Sequence, residues 1–398
     1  MSETSETNRS AAPELVLTPA LLAELAAHAE SVGLLRLGAV DLAHPGFLAA
    51  GAALERFLAA GKAGDMDFLP RTRAVRQDPA RMLPGARSVL VAAVPYTGES
   101  GPVARYARGL DYHTVVHQRL IAVERRLHAL LPGVATLICV DTKPLLERSA
   151  AALAGLGFLG KHGCLIVPGL GSYVLLGAIL CTATRPAVAA APTGAPWDAC
   201  GGCTRCLDAC PTAAFDGPGD LDPRRCISYL TIEHRGPVPD DLAARMGERI
   251  AGCDVCQEVC PYNASAARDR RVPAAAWIDP APRPIPDLED MAAISPSQYR
   301  ALVRHMALRR IPRRHMRRNA LLALGNRSGP PGPRELHGLA LGLLDKDLQV
   351  VAAAHRAARR RLALESARAL ADQLQARMLA EPAAAAADEA SGPADDAD

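Results

Sequence analysis

The chain has 398 residues, about half of them hydrophobic, which is enough for a sizeable core and for two or three domains. Its net charge of +3 excludes nothing by itself, but the N-terminus lacks a basic start followed by an apolar run. No run of eighteen uncharged apolar residues occurs either, so a cytoplasmic protein without a membrane span is expected.

In chain order, TPALLAELAAHAESVGL (Thr18–Leu34) opens with a capping Thr and a Pro at the first helical position, and continues with apolar residues at helical spacing. Short apolar runs bounded by Gly and Pro follow at Ala86–Tyr96, Ala135–Asp141, Cys164–Gly169 and Ser172–Cys181. Helical segments, His117–Leu131 and Pro144–Leu156, interleave with them. This alternation predicts an α/β or α+β domain over residues 15–190. An Ala/Pro-rich linker leads into a cysteine region, 191–265. A second Pro-rich connector leads into a helical region, 280–378. The Ala/Asp/Pro-rich tail, 381–398, is expected to be disordered.

Eight of the eleven cysteines fall between residues 200 and 260. In a large chain without a signal peptide that crowding reads as metal binding rather than a disulfide framework. CGGCTRCLDACP (Cys200–Pro211) is a full C-x2-C-x2-C-x3-C-P run, whereas CDVCQEVCP (Cys253–Pro261) offers only three cysteines. In two-cluster ferredoxins the last cysteine of each run crosses to the other cluster. On that pattern Cys200, Cys203 and Cys206 hold one 4Fe-4S cluster with Cys260. Cys253 and Cys256 hold the other with Cys210, and Cys226 is the one cysteine left in the region to complete it. Two four-cysteine zinc sites are the alternative, disfavoured by the repeated C-x3-C-P. Cys139, Cys164 and Cys181 lie in apolar runs and read as core residues. GLGFLG (Gly155–Gly160) follows a helix rather than a strand, so it does not meet the requirement for a dinucleotide loop. Asp141 ends an apolar run ahead of a Pro-containing helix start, which leaves open a cleft-facing carboxyl or a helix cap.

Several phrases occur together with these cysteines: RYARGLDYH (Arg105–His113), VDTKPLLER (Val140–Arg148), AGLGFLGKHGCLIV (Ala154–Val167), GSYVLLG (Gly171–Gly177), DPRRCISYLTIEHRG (Asp222–Gly236) and GCDVCQEVCPYN (Gly252–Asn263). In order and spacing over residues 20–330 the chain resembles the epoxyqueuosine reductase family. The resemblance implies a cobalamin-binding first domain, a bacterial-ferredoxin-like two-cluster domain and a tRNA substrate carrying epoxyqueuosine. It implies removal of the epoxide oxygen with two electrons and two protons from an external donor, through two 4Fe-4S clusters and cob(II)alamin, in a monomer. It makes Asp141 the proton donor, for which burial beside the corrin should raise its pKa. It also implies cobalamin contacts at Arg76, Asp141, Leu165, Leu176, Ser228, Cys253 and Asp254. Two departures stand out. Lys143 replaces an expected small residue, and His162, where relatives often have Asn, raises the question of cobalt ligation.

From Met291 to Arg334 there are ten arginines and no acidic residue, six of them in RRIPRRHMRR (Arg309–Arg318). An RNA-binding face and a solvated basic helix are both consistent with that run. The helices beyond it, including Asp347–Leu374, read as a HEAT-like unit that would present the face to tRNA. The competing functional classes are a cobalamin-dependent reductive dehalogenase, which usually carries an export signal, and a two-cluster electron carrier, which has no need of the large first domain.

Overall fold

The computed structural model describes residues 14–186, 194–266 and 284–362. The linker at 187–193, the second connector, residues 363–374 of the expected last helix and the tail lie outside them.

The first domain is built on a four-stranded sheet of β1 (Arg36–Asp41), β2 (Ser88–Pro95), β3 (Thr136–Cys139) and β6 (Val174–Cys181), in the order β1-β2-β6-β3. All three pairings are antiparallel, so the α+β form of the expectation holds and a parallel α/β sheet does not. All eight residues of β2 are buried, because both faces of the sheet are covered. Leu90, Ala92 and Val94 face one core, packed with the helices Pro19–Ser31 and Tyr112–Leu130. Val89, Val91 and Ala93 face the other, with the helix Glu147–Leu153 and the strand pair β4 (Phe158–Leu159) and β5 (Leu165–Ile166). The strand period of two thus assigns alternate residues to opposite layers. Gly177 of β6 lets the Tyr112–Leu130 helix close on the sheet: a Cβ there would stand 2.6 Å from Val116 Cγ1 and 2.7 Å from Leu120 Cδ1.

Thr18 caps the first helix as its sequence predicts, accepting the Leu21 N–H at 3.2 Å. β1 and the helix Pro45–Ala59 were not among the expected elements. The helix after β3 begins only at Glu147, six residues beyond Asp141. Its cap residue, Leu146, makes no side-chain capping bond.

In the cysteine region two four-residue helices, Arg205–Asp208 and Val255–Glu258, follow the C-x2-C turns and pack together. A hairpin, β7 (Phe215–Gly217) and β8 (Asp220–Leu221), fills the interval between Cys210 and Cys226. The residues between Cys226 and Cys253 carry the helices Ile227–Ile232 and Asp240–Arg245. Their apolar side chains Ile227, Leu230, Met246 and Ile250 share one core with Met291, Met316, Leu321 and Val350 of the C-terminal helices. One core therefore runs across the cysteine region and the helical region.

That junction changes the reading of the arginine run. Arg317 and Arg318 are buried, and Arg318 is 1% exposed. The Arg318 guanidinium donates to the carbonyls of Leu230, His234 and Gly236 at 2.8–2.9 Å, and neighbouring Asn319 donates to those of Thr231 and Ile250. These side chains satisfy carbonyls of the cysteine region that would otherwise be buried without donors. Arg310 pairs with Glu233, Arg314 with Asp347, Arg327 with Glu248 and Glu289, and Arg334 with Asp287 and Asp290. The expected continuous RNA face is therefore reduced. Arg300 and Arg309 are exposed and, among the described residues, have no ion-pair partner. No helix among the described residues is long and apolar enough to cross a membrane.

Candidate active site

Cys200, Cys203, Cys206 and Cys260 line one cavity together with His162, Ile166, Arg205, Pro261 and Tyr262. The tight C-x2-C turns bring the first three together, and the packed pair of short helices brings Cys260 across. The other four cysteines form a second group. Cys226 lies within electrostatic reach of Cys210 and Cys253, and Cys256 within reach of Cys164, Cys253 and Cys226 and also of Cys206 in the first group.

Long-range hydrogen bonds hold these blocks against the first domain. Lys161 Nζ donates to the Gly201 carbonyl at 2.6 Å, and its own carbonyl accepts the Gly219 N–H at 2.8 Å. Asn263 Oδ1 accepts the Ser172 N–H at 2.6 Å, an approach for which Gly171 must lack a side chain. Cys139 and Cys181 are core residues, as their apolar strands predict. Cys164 is only half-buried and lies within reach of Cys226, Cys256 and Cys260, so it borders the cysteine groups.

Asp141 is exposed and sits just beyond β3 with φ +52°, a left-handed backbone that is uncommon for a non-glycine residue. Its N–H donates to Glu147 Oε1 at 2.8 Å. Its carboxylate accepts the Tyr112 hydroxyl at 2.8 Å and meets His113 Nε2 at 3.2 Å. It caps no helix, so the capping alternative falls. On the other side of the ring, His113 Nδ1 lies 2.7 Å from Asp111 Oδ1. Asp111 is also the cap of the Tyr112–Leu130 helix and fixes where that helix begins.

An imidazole with a carboxylate at each nitrogen is best satisfied as a cation donating twice. Burial pushes the His113 pKa down, but hydrogen bonds to Asp141 and Asp111 outweigh it and the net shift is upward. The Asp141 carboxyl is held below the usual range, first by the His113 hydrogen bond and then by that of Tyr112, against an opposing effect of burial. The expectation of a raised Asp141 pKa is therefore corrected: the hydrogen bonds from His113 and Tyr112 hold its carboxyl down. Glu147 is the carboxyl that rises, to about 7, through burial and the nearby charge of Asp141.

The remaining expected contacts divide between two sides. Arg76 donates to the Leu145 carbonyl at 3.3 Å and feels the charges of Glu147 and Asp141. Leu165 is 2% exposed and Leu176 half-buried, both packed in the sheet's second core, so either offers mainly backbone to a ligand. Ser228 and Cys253 are half-buried. Asp254 is buried, with its pKa raised by that burial, and accepts the Arg105 N–H at 2.8 Å. Tyr106 feels both Asp141 and Asp254, and so connects the two sides. Residue-by-residue reading did not single out Asp111, Tyr112, His113, Glu147 or Tyr106. The signal available was RYARGLDYH, where Asp, Tyr and His follow one another at a helix start.

Eight cysteines gathered in one segment, in the same chain as a carboxylate–imidazole–carboxylate cluster at the end of β3, point to an oxidoreductase with an iron–sulfur module. The double-cluster part matches the family model "4Fe-4S double cluster binding domain" over residues 199–263, which include all eight cysteines. Residues 76–142, from Arg76 past Asp141, match "Epoxyqueuosine reductase QueG, DUF1730". An epoxyqueuosine reductase of Gloeobacter violaceus is 40% identical over 308 residues, covering 74% of this chain and 91% of that protein. One from a Synechococcus species is 41% identical over 277 residues, covering 67% and 82%. The crystal structure of an epoxyqueuosine reductase with a tRNA-Tyr epoxyqueuosine-modified stem loop superposes with a TM-score of 0.71 at 26% identity, covering 89% of this chain and 98% of that one. The chain belongs to the epoxyqueuosine reductase family.

Proposed function

We propose that this chain reduces epoxyqueuosine to queuosine at the wobble position of tRNA, the last step of queuosine biosynthesis, in the cytoplasm and with electrons from an external donor. The observation that carries the reading is the Asp111–His113–Asp141 relay at the end of β3, in the same fold as two cysteine quartets. On this reading residues 15–190 bind cobalamin, 191–265 hold the clusters, and 280–378 form a HEAT-like region against the RNA.

The donor sets suit the groups required. Four thiols converge on the first cavity, and the second quartet has the crossed spacing of a two-cluster module. For the corrin, the buried Arg105 Nε and Tyr173 Oη lack partners within the protein. They lie by Asp254, where amide groups of a corrin rim would satisfy them. Arg76, Asp141, Leu165, Leu176, Ser228, Cys253 and Asp254 would hold it. When bound, reduced cobalt supplies a strong nucleophile for a strained epoxide carbon, and the clusters supply the two electrons.

The overall change is epoxide plus two electrons and two protons to alkene plus water. The protein's part is protonic. Exposed Asp141 passes a proton from His113 to the oxygen released by ring opening, and after His113 is reprotonated from solvent the pair passes the second, so that the oxygen leaves as water. Asp111 keeps the ring aligned and compensates its charge. Tyr112 fixes the orientation of the Asp141 carboxylate.

Anaerobic purification, cluster and cobalamin reconstitution, and turnover of an epoxyqueuosine-containing tRNA stem loop test the proposal. Queuosine formed at stoichiometries above one per chain is expected. Clusters that form and reduce without corrin uptake or turnover would favour the electron-carrier reading.

A further inference from the structure

His162 departs from its sequence reading in a way that points to a role. It lines the cavity of Cys200, Cys203, Cys206 and Cys260, so cobalt ligation is not what its position suggests. Its residue is 5% exposed. Nδ1 accepts the Cys164 N–H at 3.1 Å, which requires that nitrogen to carry no proton and places the ring hydrogen on Nε2. Nε2 is buried and has no partner within the protein. Gly160 leaves room for the ring: a Cβ there would come within 2.9 Å of Cε1 and 3.2 Å of Nε2. A tautomer set by the Cys164 N–H and a buried unsatisfied donor therefore converge on the wall of a cysteine-lined cavity. Buried N–H groups without acceptors are rare, and the acceptors implied by this cavity are sulfurs.

We propose that His162 Nε2–H donates a hydrogen bond to a sulfur of the cluster held by Cys200, Cys203, Cys206 and Cys260, and thereby sets that cluster as the first of the two to be reduced. Reduction adds negative charge to the cluster, and a donor aimed at a sulfur favours the more negative state, raising the potential. The two quartets then differ in potential because one faces an imidazole N–H. The inference rests on the reading of the cysteines as cluster ligands.

Potentiometric titration of the anaerobically reconstituted full chain, followed by electron paramagnetic resonance of the reduced clusters, gives the test. Wild type should show two separate reduction steps. His162→Leu should move the higher step to lower potential and leave the other in place. His162→Gln, whose amide can still donate, should fall between. Iron and sulfide assays keep the comparison interpretable. Should His162→Leu lose iron, His162→Met and His162→Phe, which also lack a donor, take its place against wild type, and unchanged potentials in both would overturn the proposal. Equal shifts in both steps would overturn it as well, because they would indicate a global effect. A wild-type chain that takes up zinc but no iron would instead sink the cluster reading itself, and the inference with it.

Discussion

The cysteine blocks and the arginine run are both dense clusters of one residue type, and sequence patterning marks each as a site. They end differently. The cysteines gather, with Cys200, Cys203, Cys206 and Cys260 lining a single cavity and the other four within electrostatic reach of one another or of that group. The arginines disperse: two are buried in the protein, and four pair with carboxylates of neighbouring segments. A C-x2-C turn fixes its own geometry, so the first three ligands can be read from spacing alone. An arginine side chain is long, and what it meets depends on which carbonyls and carboxylates the tertiary fold brings near. Local chemistry survives folding unchanged, whereas charge is redistributed by it.

Activity without a stability cost on one side, and stability without a chemical role on the other, would make this difference measurable. The largest effect is expected at Asp141. Asp141→Asn should keep clusters, cobalamin and thermal midpoint but lower kcat by roughly 10²–10⁴-fold, the usual worth of a positioned proton donor. His113→Gln should change the pH profile instead. The His113 pKa is raised, so its proton is retained above the ordinary histidine range and lost as pH rises through the shifted value. Wild-type turnover should therefore fall as pH rises through that shifted value, and that limb should disappear in His113→Gln. An unchanged limb would remove His113 from the relay.

Arg318 is the counterpart. Arg318→Ala leaves the buried Leu230 carbonyl and the partly buried ones of His234 and Gly236 without their donor and should cost about 2–4 kcal/mol in urea unfolding. The folded fraction should keep its clusters. A cost below about 1 kcal/mol would mean that water replaces the guanidinium and that this arginine was not structural. Within the cysteines, Cys226→Ser should remove one cluster's worth of iron while Cys164→Ser leaves both. The reverse result would transfer the fourth ligand to Cys164, which the structure places within reach of Cys226, Cys256 and Cys260.

The legible parts of the sequence were those with short-range causes. The β2 and β6 runs, the Thr18 cap and the cysteine spacing each depend on a few adjacent residues. β1 was missed because RLGAVD is short and half polar, and it becomes a strand by pairing with β2. The antiparallel order could not be read either, since interleaved helices and strands suit both sheet types. At Asp141 the position was legible and the electrostatics were not. Burial argues for a raised pKa, but the sign is set by Tyr112 and His113, which a different helix brings to the end of β3.

The smallest effect tests what remains of the RNA face. On the proposed reading, each arginine that touches a phosphate contributes about 0.7–0.9 to the slope of log affinity against log salt. Arg309→Gln and Arg300→Gln should each reduce the slope for a tRNA stem loop by about that amount, whereas Arg314→Gln, whose partner is Asp347, should leave it nearly unchanged. No change at Arg309 and Arg300 would place the phosphate contacts outside this run. A full loss at Arg314 would mean that its ion pair opens when RNA binds. The arginine would then exchange a carboxylate for a phosphate, and its pairing in the free protein would describe only the state before the substrate arrives.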